Sequence, residues 1–511
     1  MPAMLPDGVR IAHPDALFID GAWVAPAAGG TIEIISPHTE QVSAVVAEAR
    51  EADMDAAVAA ARRAFDEGPW GRTTPTERAD YLRRMAAHLG PRQGELAAAF
   101  TAQIGALAGF APFMAMQGTA TFATYADMVD SYEWVKEQPS TQLPNTTAMV
   151  VREAVGVVAA IVPWNVPYGI MAQKVAPALL AGCTIVMKPA PETPLEAYII
   201  AEAAEAAGLP PGVINLVPSH RDAADHLVRN AGVDKIAFTG STAAGRRIAS
   251  VAGERIARVT LELGGKSPAI VLDDMPTEAA AKILGRTITV LSGQVCAMLS
   301  RAIVPAHRHD ELAQAIAAEM KTVRVGPPDD PATEMGPIAM QRQLERIEHY
   351  VESGKREGAT LMAGGGRPAH LNEGFYFEPT LFANVDNSMT IAREEIFGPV
   401  LALIPARDEE HAIAIANDTD YGLNSAVLTS DPANVVRIGR RLRAGNVGHN
   451  GMKADFSLPF GGFKQSGIGR EGGAEGLAPY LETKVILVEQ GPVASPEQEI
   501  EAERQSAVTT G

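Results

Sequence analysis

Cysteine is scarce in this chain, with two residues in 511, and long apolar runs are missing. Two thiols cannot build a disulfide framework and are too few for a zinc cage of cysteines, so we expect a reducing compartment and no metal. No apolar run reaches membrane-spanning length, and the first residues show no secretory signal pattern. The sequence therefore predicts a cytoplasmic protein.

Basic residues are also under-represented, since 43 lysines and arginines face 61 acids and give a net charge of −18. Nucleic acids and anionic membranes bind to basic faces, so neither is expected as a partner. Hydrophobic residues make up 47% of the chain and charged residues 20%, which is ordinary for a globular protein. The length suggests two or three domains with large cores.

The order of the patterns predicts an α/β protein. Short strands are expected near residues 18–35, helices at 53–65 and 75–89, and a half-exposed hairpin at 140–153. Strand and helix patterns alternate from residue 155, and a second alternating block runs from 268 to about 431. This alternation indicates parallel sheets with crossover helices. The expected strands of the first block are 155–162, 184–188, 213–217 and 235–239, and its expected helices are 171–180 and 195–207.

Three separate positions suggest thiol chemistry on a carbonyl group, which needs a thiolate, a donor for the oxyanion and a base. Cys296 has small or polar neighbours, and Asn165 lies in a loop directly after a predicted strand. Glu262 lies at an apolar strand end, where desolvation raises a carboxyl pKa toward neutrality. Taken singly, these residues are also explained as a small buried cysteine, a turn asparagine and a solvent-facing glutamate. Cys183 is interpreted as a buried structural residue.

Two further strand ends have the features of a phosphate or cofactor site. Gly240 and Ser241 end a predicted strand and open a helix, where free N–H groups suit a pyrophosphate. The segment is not the Gly-x-Gly-x-x-Gly fingerprint. Lys188 lies at a second strand end, although a lone lysine there is also explained as a solvated loop residue.

These residues occur together with Glu395-Ile-Phe-Gly-Pro and the glycine-rich stretch 459–467. The combination resembles the aldehyde dehydrogenase superfamily, in the NAD(P)-dependent, non-acylating form, from about residue 17 to residue 490. The resemblance implies a Rossmann-like dinucleotide-binding domain at 1–131 and 154–262 and an α/β catalytic domain at 263–464. It also implies a β-hairpin oligomerisation arm, formed by 132–153 and 465–490, and hence a homodimer or homotetramer. Residues 491–511 are expected to form an acidic mobile tail.

The resemblance also assigns roles to individual residues. Cys296 matches the nucleophile, Glu262 the general base and Asn165 the oxyanion donor, while Lys174 and Glu482 match positions that relay protons. The cofactor residues that it implies are Ile161, Val162, Pro163, Trp164, Lys188, Gly240, Ser241, Leu263, Glu395 and Phe397.

The chain departs from the family pattern near the adenosine ribose. Many NAD-using relatives carry a glutamate three residues after the position of Lys188, whereas this chain has Pro191, followed by Glu192. Loss of a carboxylate removes repulsion against a 2′-phosphate, and Arg221 could approach such a group. NAD is the expected cofactor, and NADP stays open.

The residues expected around the substrate are mostly apolar: Val166, Ile170, Gln173, Val295, Ala297, Met298 and Phe460. With no basic cluster for an anionic aldehyde, they predict a neutral, hydrophobic aldehyde of medium size. The sequence leaves open a thiol esterase, a CoA-acylating dehydrogenase and a non-catalytic protein of the same fold. Glu262 argues against the acylating type, and the cofactor residues argue against the esterase.

Overall fold

The computed structural model describes residues 5–489, so the predicted tail at 491–511 lies outside the described residues. Within this range the secondary structure is numbered along the chain. The strands are β1 (Leu17–Ile19), β2 (Ala22–Val24), β3 (Gly30–Ile35), β4 (Val42–Glu48), β5 (Val135–Pro139), β6 (Thr146–Ala154), β7 (Val157–Ile161), β8 (Thr184–Lys188), β9 (Ile214–Leu216), β10 (Lys235–Thr239), β11 (Arg258–Glu262), β12 (Ser267–Val271), β13 (Leu299–Pro305), β14 (Thr360–Ala363), β15 (Thr380–Ala383), β16 (Val400–Ala406), β17 (Asn424–Leu428), β18 (Asn446–His449), β19 (Gly467–Ile468) and β20 (Leu481–Glu489).

Helices occupy most of the connections between these strands. They are α1 (Glu51–Asp66), α2 (Pro75–Leu89), α3 (Gln93–Ile104), α4 (Ala111–Asp127), α5 (Pro167–Ala181), α6 (Leu195–Ala206), α7 (Arg221–Arg229), α8 (Thr242–Glu254), α9 (Thr277–Thr287), α10 (His309–Lys321), α11 (Gln341–Arg356), α12 (Thr390–Arg393), α13 (Glu409–Asn417), α14 (Pro432–Gly439) and α15 (Gly473–Leu477). None of the helices in residues 5–489 is long and apolar enough to cross a membrane.

The first large sheet has the strand order β19-β11-β10-β7-β8-β9-β1-β2. Its five central strands are parallel, and β7, β8 and β10 are buried at every residue. Complete burial is the expected state of a parallel sheet that helices cover on both faces. The carboxyl ends of these strands lie at one edge, where loops lead into α5 and α8. The sequence prediction of a parallel α/β sheet is confirmed.

The second large sheet has the order β14-β15-β16-β13-β12-β17-β18 and is parallel except for β14. The chain passes from the first sheet to the second within residues 263–266, because β11 ends at Glu262 and β12 begins at Ser267. The site described below lies where this crossing meets the loop before β13.

A smaller antiparallel sheet combines β5, β6 and β20 in the order β20-β6-β5. The hairpin expected at 140–153 is present, but its first strand lies earlier, at Val135–Pro139, and residues 140–145 form the turn. This strand reads Val-Lys-Glu-Gln-Pro, so it lacks the alternating polar and apolar residues that would have revealed it.

Candidate active site

Cys296 lies in a tight loop between α9 and β13, where it is partly exposed. The three residues from Leu291 to Gly293 have φ values of 46°, 54° and 76°. Left-handed backbone is unfavourable for residues with a Cβ, so the surroundings must hold this turn. Ser292 contributes by donating a hydrogen bond from Oγ to the carbonyl of Gly336 at 2.8 Å.

The backbone at the thiol is fixed from two sides. Asn424 donates from Nδ2 to the carbonyl of Ala297 at 3.0 Å. On the other side a Cβ at Gly265 would lie 2.3 Å from the carbonyl oxygen of Cys296. Only glycine permits this approach, so Gly265 leaves the space that the thiol loop occupies.

Asn165 lies beside this loop, in the connection between β7 and α5. Its side chain is buried, and Nδ2 donates to the carbonyl of Gln294 at 2.9 Å. Because an amide nitrogen carries two hydrogens, one N–H stays available after this bond is made. The structure therefore brings a hydrogen-bond donor to the neighbourhood of Cys296.

Glu262 ends β11 with a side chain that is only 3% exposed. Neither of its carboxyl oxygens has a hydrogen-bond partner among the described residues. A Cβ at Gly461 would lie 2.6 Å from Oε1, so glycine is needed there as well. Burial, followed by the charge of Glu471, raises the pKa of Glu262 well above its ordinary value. The residue therefore has the properties of a general base.

The pKa of the Cys296 thiol is also shifted by burial and by neighbouring carboxylates. The pKa of Cys296 is raised to about 12, first by burial and then by the carboxylates of Glu395 and Glu262, while the backbone N–H groups of Ala297 and Cys296 oppose the shift. The resting thiol therefore keeps its proton at neutral pH. Attack on a carbonyl requires this proton to move to an acceptor, and the two carboxylates are the groups close enough to influence it.

Lys174, one of the two predicted proton-relay residues, is completely buried on α5. Its Nζ donates to Thr239 Oγ1 at 2.8 Å and forms an ion pair with Glu471. The other predicted relay residue, Glu482, lies on β20, half exposed, with its carboxylate 2.7 Å from Arg258. Arg258 and Glu262 begin and end β11, so Glu482 does not reach the base.

The structure therefore does not bring Glu482 to Lys174, and the acid that pairs with Lys174 is Glu471. Glu471 follows an irregular glycine-rich stretch, where periodicity gives no indication of burial. The available signal was the lysine itself, because a buried lysine needs an acidic partner.

The predicted cofactor residues lie along the carboxyl edge of the first sheet, from the ends of β7, β8, β10 and β11. Trp164 and Phe397 pack edge to face, with ring centroids 5.3 Å apart. Ser241 caps α8, and its Oγ accepts from the N–H of Ala244 at 3.3 Å. The remaining members of this edge are Ile161, Val162, Pro163, Lys188, Gly240 and Leu263.

Two ionisable residues near this edge have no ion pair among the described residues: Lys188 is 6% exposed, and Glu395 is partly buried. Glu395 accepts from the N–H of Gly265 at 3.0 Å, and burial raises its pKa to about 7. Burial lowers the pKa of Lys188 to about 8, with Glu192 opposing the shift. Both groups are therefore positioned to bind polar atoms of a ligand that enters the cleft.

The predicted substrate residues form two groups. Val166, Ile170 and Gln173 follow one face of α5 at helical spacing, and Gln173 donates from Nε2 to Thr121 Oγ1 on α4 at 3.3 Å. The second group packs around the thiol loop and includes Leu423 and Met452, which the sequence did not indicate. Its predicted members are Val295, Ala297 and Phe460. Met298 packs in the core behind the loop.

Comparison with known proteins gives matches along nearly the whole chain. The family described as the aldehyde dehydrogenase family matches residues 23–486. Geranial dehydrogenase of Castellaniella defragrans is 42% identical over 473 residues, covering 92% of this chain and 98% of that protein.

Solved structures agree with this result. An aldehyde dehydrogenase of Mycobacterium tuberculosis in complex with NAD+ has a TM-score of 0.91 and 42% identity, covering 95% of this chain and 100% of that one. A variant of aldehyde dehydrogenase C from Pseudomonas syringae, in complex with NAD+ and octanal, has a TM-score of 0.90 and 39% identity. The match covers 95% of this chain and 99% of that one.

Proposed function

The chain belongs to the aldehyde dehydrogenase family, and from this premise we propose that it oxidises a neutral, hydrophobic aldehyde to the carboxylic acid through a covalent intermediate on Cys296. The observation that carries the proposal is the convergence of three groups from different elements. Cys296 lies beside an amide donor, Asn165, and within the electrostatic influence of a buried base, Glu262.

We propose NAD as the cofactor, with NADP as the alternative. The edge residues fit such a group: Lys188 and Glu395 would hold the ribose hydroxyls, and the N-terminus of α8 would hold the pyrophosphate. When bound, the cofactor supplies the hydride acceptor that turns the adduct on Cys296 into a thioester. NAD+ in the M. tuberculosis and P. syringae structures supports this choice.

The residues near the adenosine end keep NADP as a testable alternative. Pro191 has no carboxylate to repel a 2′-phosphate, and Glu192 is held 2.5 Å from Arg342. Arg221 begins α7 and makes no ion pair within residues 5–489. Initial rates with each cofactor at matched concentrations decide between the two.

In the proposed reaction the thiolate of Cys296 attacks the aldehyde carbon. The free N–H of Asn165 and the backbone N–H of Cys296 stabilise the oxyanion, and losing one such donor typically costs about 10²–10³ in rate. Glu262 then takes a proton from water, and the water oxygen attacks the thioester carbon. The carbon–sulfur bond breaks, which releases the carboxylic acid and returns Cys296 as the thiolate. The raised pKa of Glu262 makes its carboxylate a stronger base for this step.

The test of this proposal compares the two cysteines. Cys296→Ala should reduce NADH formation to background, whereas Cys183→Ala should keep most of it, because Cys183 is buried in the core. The carboxylic acid should form at the same rate with and without CoA. Activity in Cys296→Ala, or an acyl-CoA product, would refute the mechanism.

The apolar lining supports a hydrophobic substrate, as do the aldehydes named for two relatives, geranial and octanal. We expect kcat/KM for octanal and geranial to exceed that for succinate semialdehyde, since the described lining offers no basic cluster for a carboxylate. A preference for the anionic aldehyde would contradict the substrate class.

The fold supports three further proposals. We keep the division into a cofactor domain at 1–131 and 154–262 and a catalytic domain at 263–464, because the two large sheets meet at residues 263–266. We also propose that the three-stranded sheet, within 132–153 and 465–490, joins copies of the chain into dimers or tetramers.

The third proposal is a cytoplasmic location, since a chain with two cysteines in 511 residues suits a reducing compartment.

A further inference from the structure

Lys235, at the start of β10, is a completely buried lysine to which the mechanism above gives no role. Its exposed fraction is 0%, and its Nζ donates to Thr260 Oγ1 at 2.7 Å. The same Nζ lies 4.9 Å from the centre of the Tyr480 ring. Among residues 5–489 no carboxylate forms an ion pair with it. A lysine buried with so little compensation is costly, which suggests a function.

The register of the sheet relates Lys235 to the proposed base. β10 and β11 are parallel, with Thr239 opposite Glu262, Ala237 opposite Thr260 and Lys235 opposite Arg258. Side chains alternate along a strand, so every second residue of β11, including Thr260 and Glu262, points to one face of the sheet. Lys235 and Thr239, which lie in register with residues of this set, point to the same face. Lys174 also reaches this face, because it bonds to Thr239. The base and Lys235 therefore belong to one buried polar layer.

Two tyrosines connect the parts of this layer. The hydroxyls of Tyr125 and Tyr480 are buried without a hydrogen-bond partner among the described residues. Burial raises the pKa of each tyrosine, and the charge of Glu471 is the next cause. A Cβ at Gly476 would lie 2.6 Å from the Tyr125 hydroxyl and 2.9 Å from the carbonyl carbon of Glu471, so Tyr125 and Glu471 are neighbours. A hydroxyl can donate and accept at once. Tyr480 contacts Lys235 through its ring and is subject to the charge of Glu471.

We propose that Lys235 is the outer member of a path that removes the proton that Glu262 takes from water. This inference rests on the proposed function. The proton passes from the Glu262 carboxyl to the Lys174–Glu471 pair, and from there past the tyrosine hydroxyls to the neutral amine of Lys235. The resulting ammonium releases it at the opposite end of the strands, where Arg258 and Glu482 are half exposed.

The electrostatic setting suits this role. Burial lowers the pKa of Lys235 to about 7, so the amine can gain and lose a proton near neutral pH. Beyond burial, Cys183 and Glu471 favour the charged form, whereas Lys174 and Arg258 oppose it. An arginine in this place would stay charged at every working pH and could not accept a proton.

The test separates acylation of Cys296 from hydrolysis of the acyl-enzyme, with p-nitrophenyl acetate as the acyl donor. The burst of nitrophenolate reports acylation, and the slower steady phase reports hydrolysis. In Lys235→Met the burst rate should be unchanged, and the steady rate should fall about tenfold at pH 7. The difference in steady rate between Lys235→Met and the wild type should shrink toward about pH 9. At that pH hydroxide attacks the acyl-enzyme directly and needs no general base. Lys235→Arg should be as slow as Lys235→Met.

A second variant covers the case in which Lys235→Met does not fold. Thr260→Val removes the hydroxyl partner and keeps the shape, so it should lower the steady rate in the same direction. The proposal would be overturned by any of three results. These are a normal steady rate in Lys235→Arg, an equal loss of burst and steady rates, and a loss of steady rate that does not change with pH. Failure of the proposed function is distinguishable, because the wild-type protein would then form no NADH from aldehydes.

Discussion

At the residue scale, the thiol of Cys296 is under the electrostatic influence of the carboxyls of Glu395 and Glu262. Each negative charge opposes ionisation of the thiol. The proposed nucleophile is therefore protonated in the resting enzyme, and its reactivity depends on the protonation of its neighbours.

Removal of one of these charges should activate the thiol. The Glu395→Gln variant lacks the charge that contributes most after burial, so the pKa of Cys296 should fall. Alkylation by iodoacetamide at about pH 8, followed by mass spectrometry, should be roughly threefold to tenfold faster.

The neighbouring Glu394→Gln change serves as the control, because Glu394 is not among the groups that shift the thiol. Cys183 is 0% exposed and should stay unlabelled in every sample. An unchanged or slower rate in Glu395→Gln would contradict the account of the thiol.

Glu196 gives a stability prediction. It is completely buried on α6, and burial raises its pKa to about 7 from an ordinary value of 4.5. The folded protein therefore binds a proton more tightly than the unfolded chain, so stability falls as pH rises from about 4.5 to 7, and the cost persists above that range.

Glu196→Gln should remove this cost and keep a bond to Gln103, which now donates to the carboxyl at 2.7 Å. Its gain in unfolding free energy should be small at pH 5 and at most about 3 kcal/mol at pH 8. Urea unfolding at the two pH values measures it, with the exposed Glu278→Gln as control. A larger gain at pH 5 would reverse the predicted sign.

Candidate site residues could be predicted from the sequence where they belong to a recognisable motif. Residues that stand out only because they are buried could not. Asn165 lies in the loop after β7, Glu262 ends β11 just before two glycines, and Cys296 lies shortly after a glycine in a loop. The structure brings the three residues together. Glu471 and Lys235 owe their importance to burial between elements distant in sequence, which no local pattern reveals.

At the element scale, buried parallel strands were the most predictable features, because continuous apolar runs between glycines mark them. β8 and β10 begin and end where the sequence predicted. The strand Val135–Pro139 was misplaced, since its pairing with β6 depends on backbone hydrogen bonds and not on an apolar pattern.

The thiol loop depends on Gly293. Its φ is +76°, and a Cβ there would lie 2.2 Å from the carbonyl carbon of Gly398. Gly293→Ala should lower the unfolding free energy by about 2 kcal/mol or more and displace Cys296, so that activity falls with it. Thermal unfolding and initial rates measure both effects.

Gly253→Ala is the matched control, because Gly253 lies inside α8 with no atom within 4 Å of its Cβ position. This change should be neutral or stabilising by up to about 1 kcal/mol. Equal effects at both glycines would show that the left-handed turn does not matter.

At the scale of the whole molecule, β20 presents neighbouring apolar side chains to solvent. Val485 is 57% exposed and Leu487 53%, and both point to one face of the three-stranded sheet. Exposed apolar patches of this kind indicate an interface. This placement supports the proposed role of the sheet in assembly.

The double change Val485→Asp and Leu487→Asp should therefore produce monomers, measured by light scattering after size exclusion. Val436→Asp is the control, since Val436 on α14 is 58% exposed and lies apart from that sheet. A wild-type monomer, or an assembly that survives the double change, would contradict the proposed interface.

The proposed nucleophile and the proposed base belong to different sheets, since Cys296 precedes a strand of the second sheet and Glu262 ends a strand of the first. Their alignment depends on the short crossing at residues 263–266, which contains two glycines. Mild heating should disturb the crossing at residues 263–266 before it unfolds either sheet. On heating, the enzyme should then lose activity while its circular dichroism is still native. The temperature of half-inactivation should therefore lie below the melting temperature of the fold.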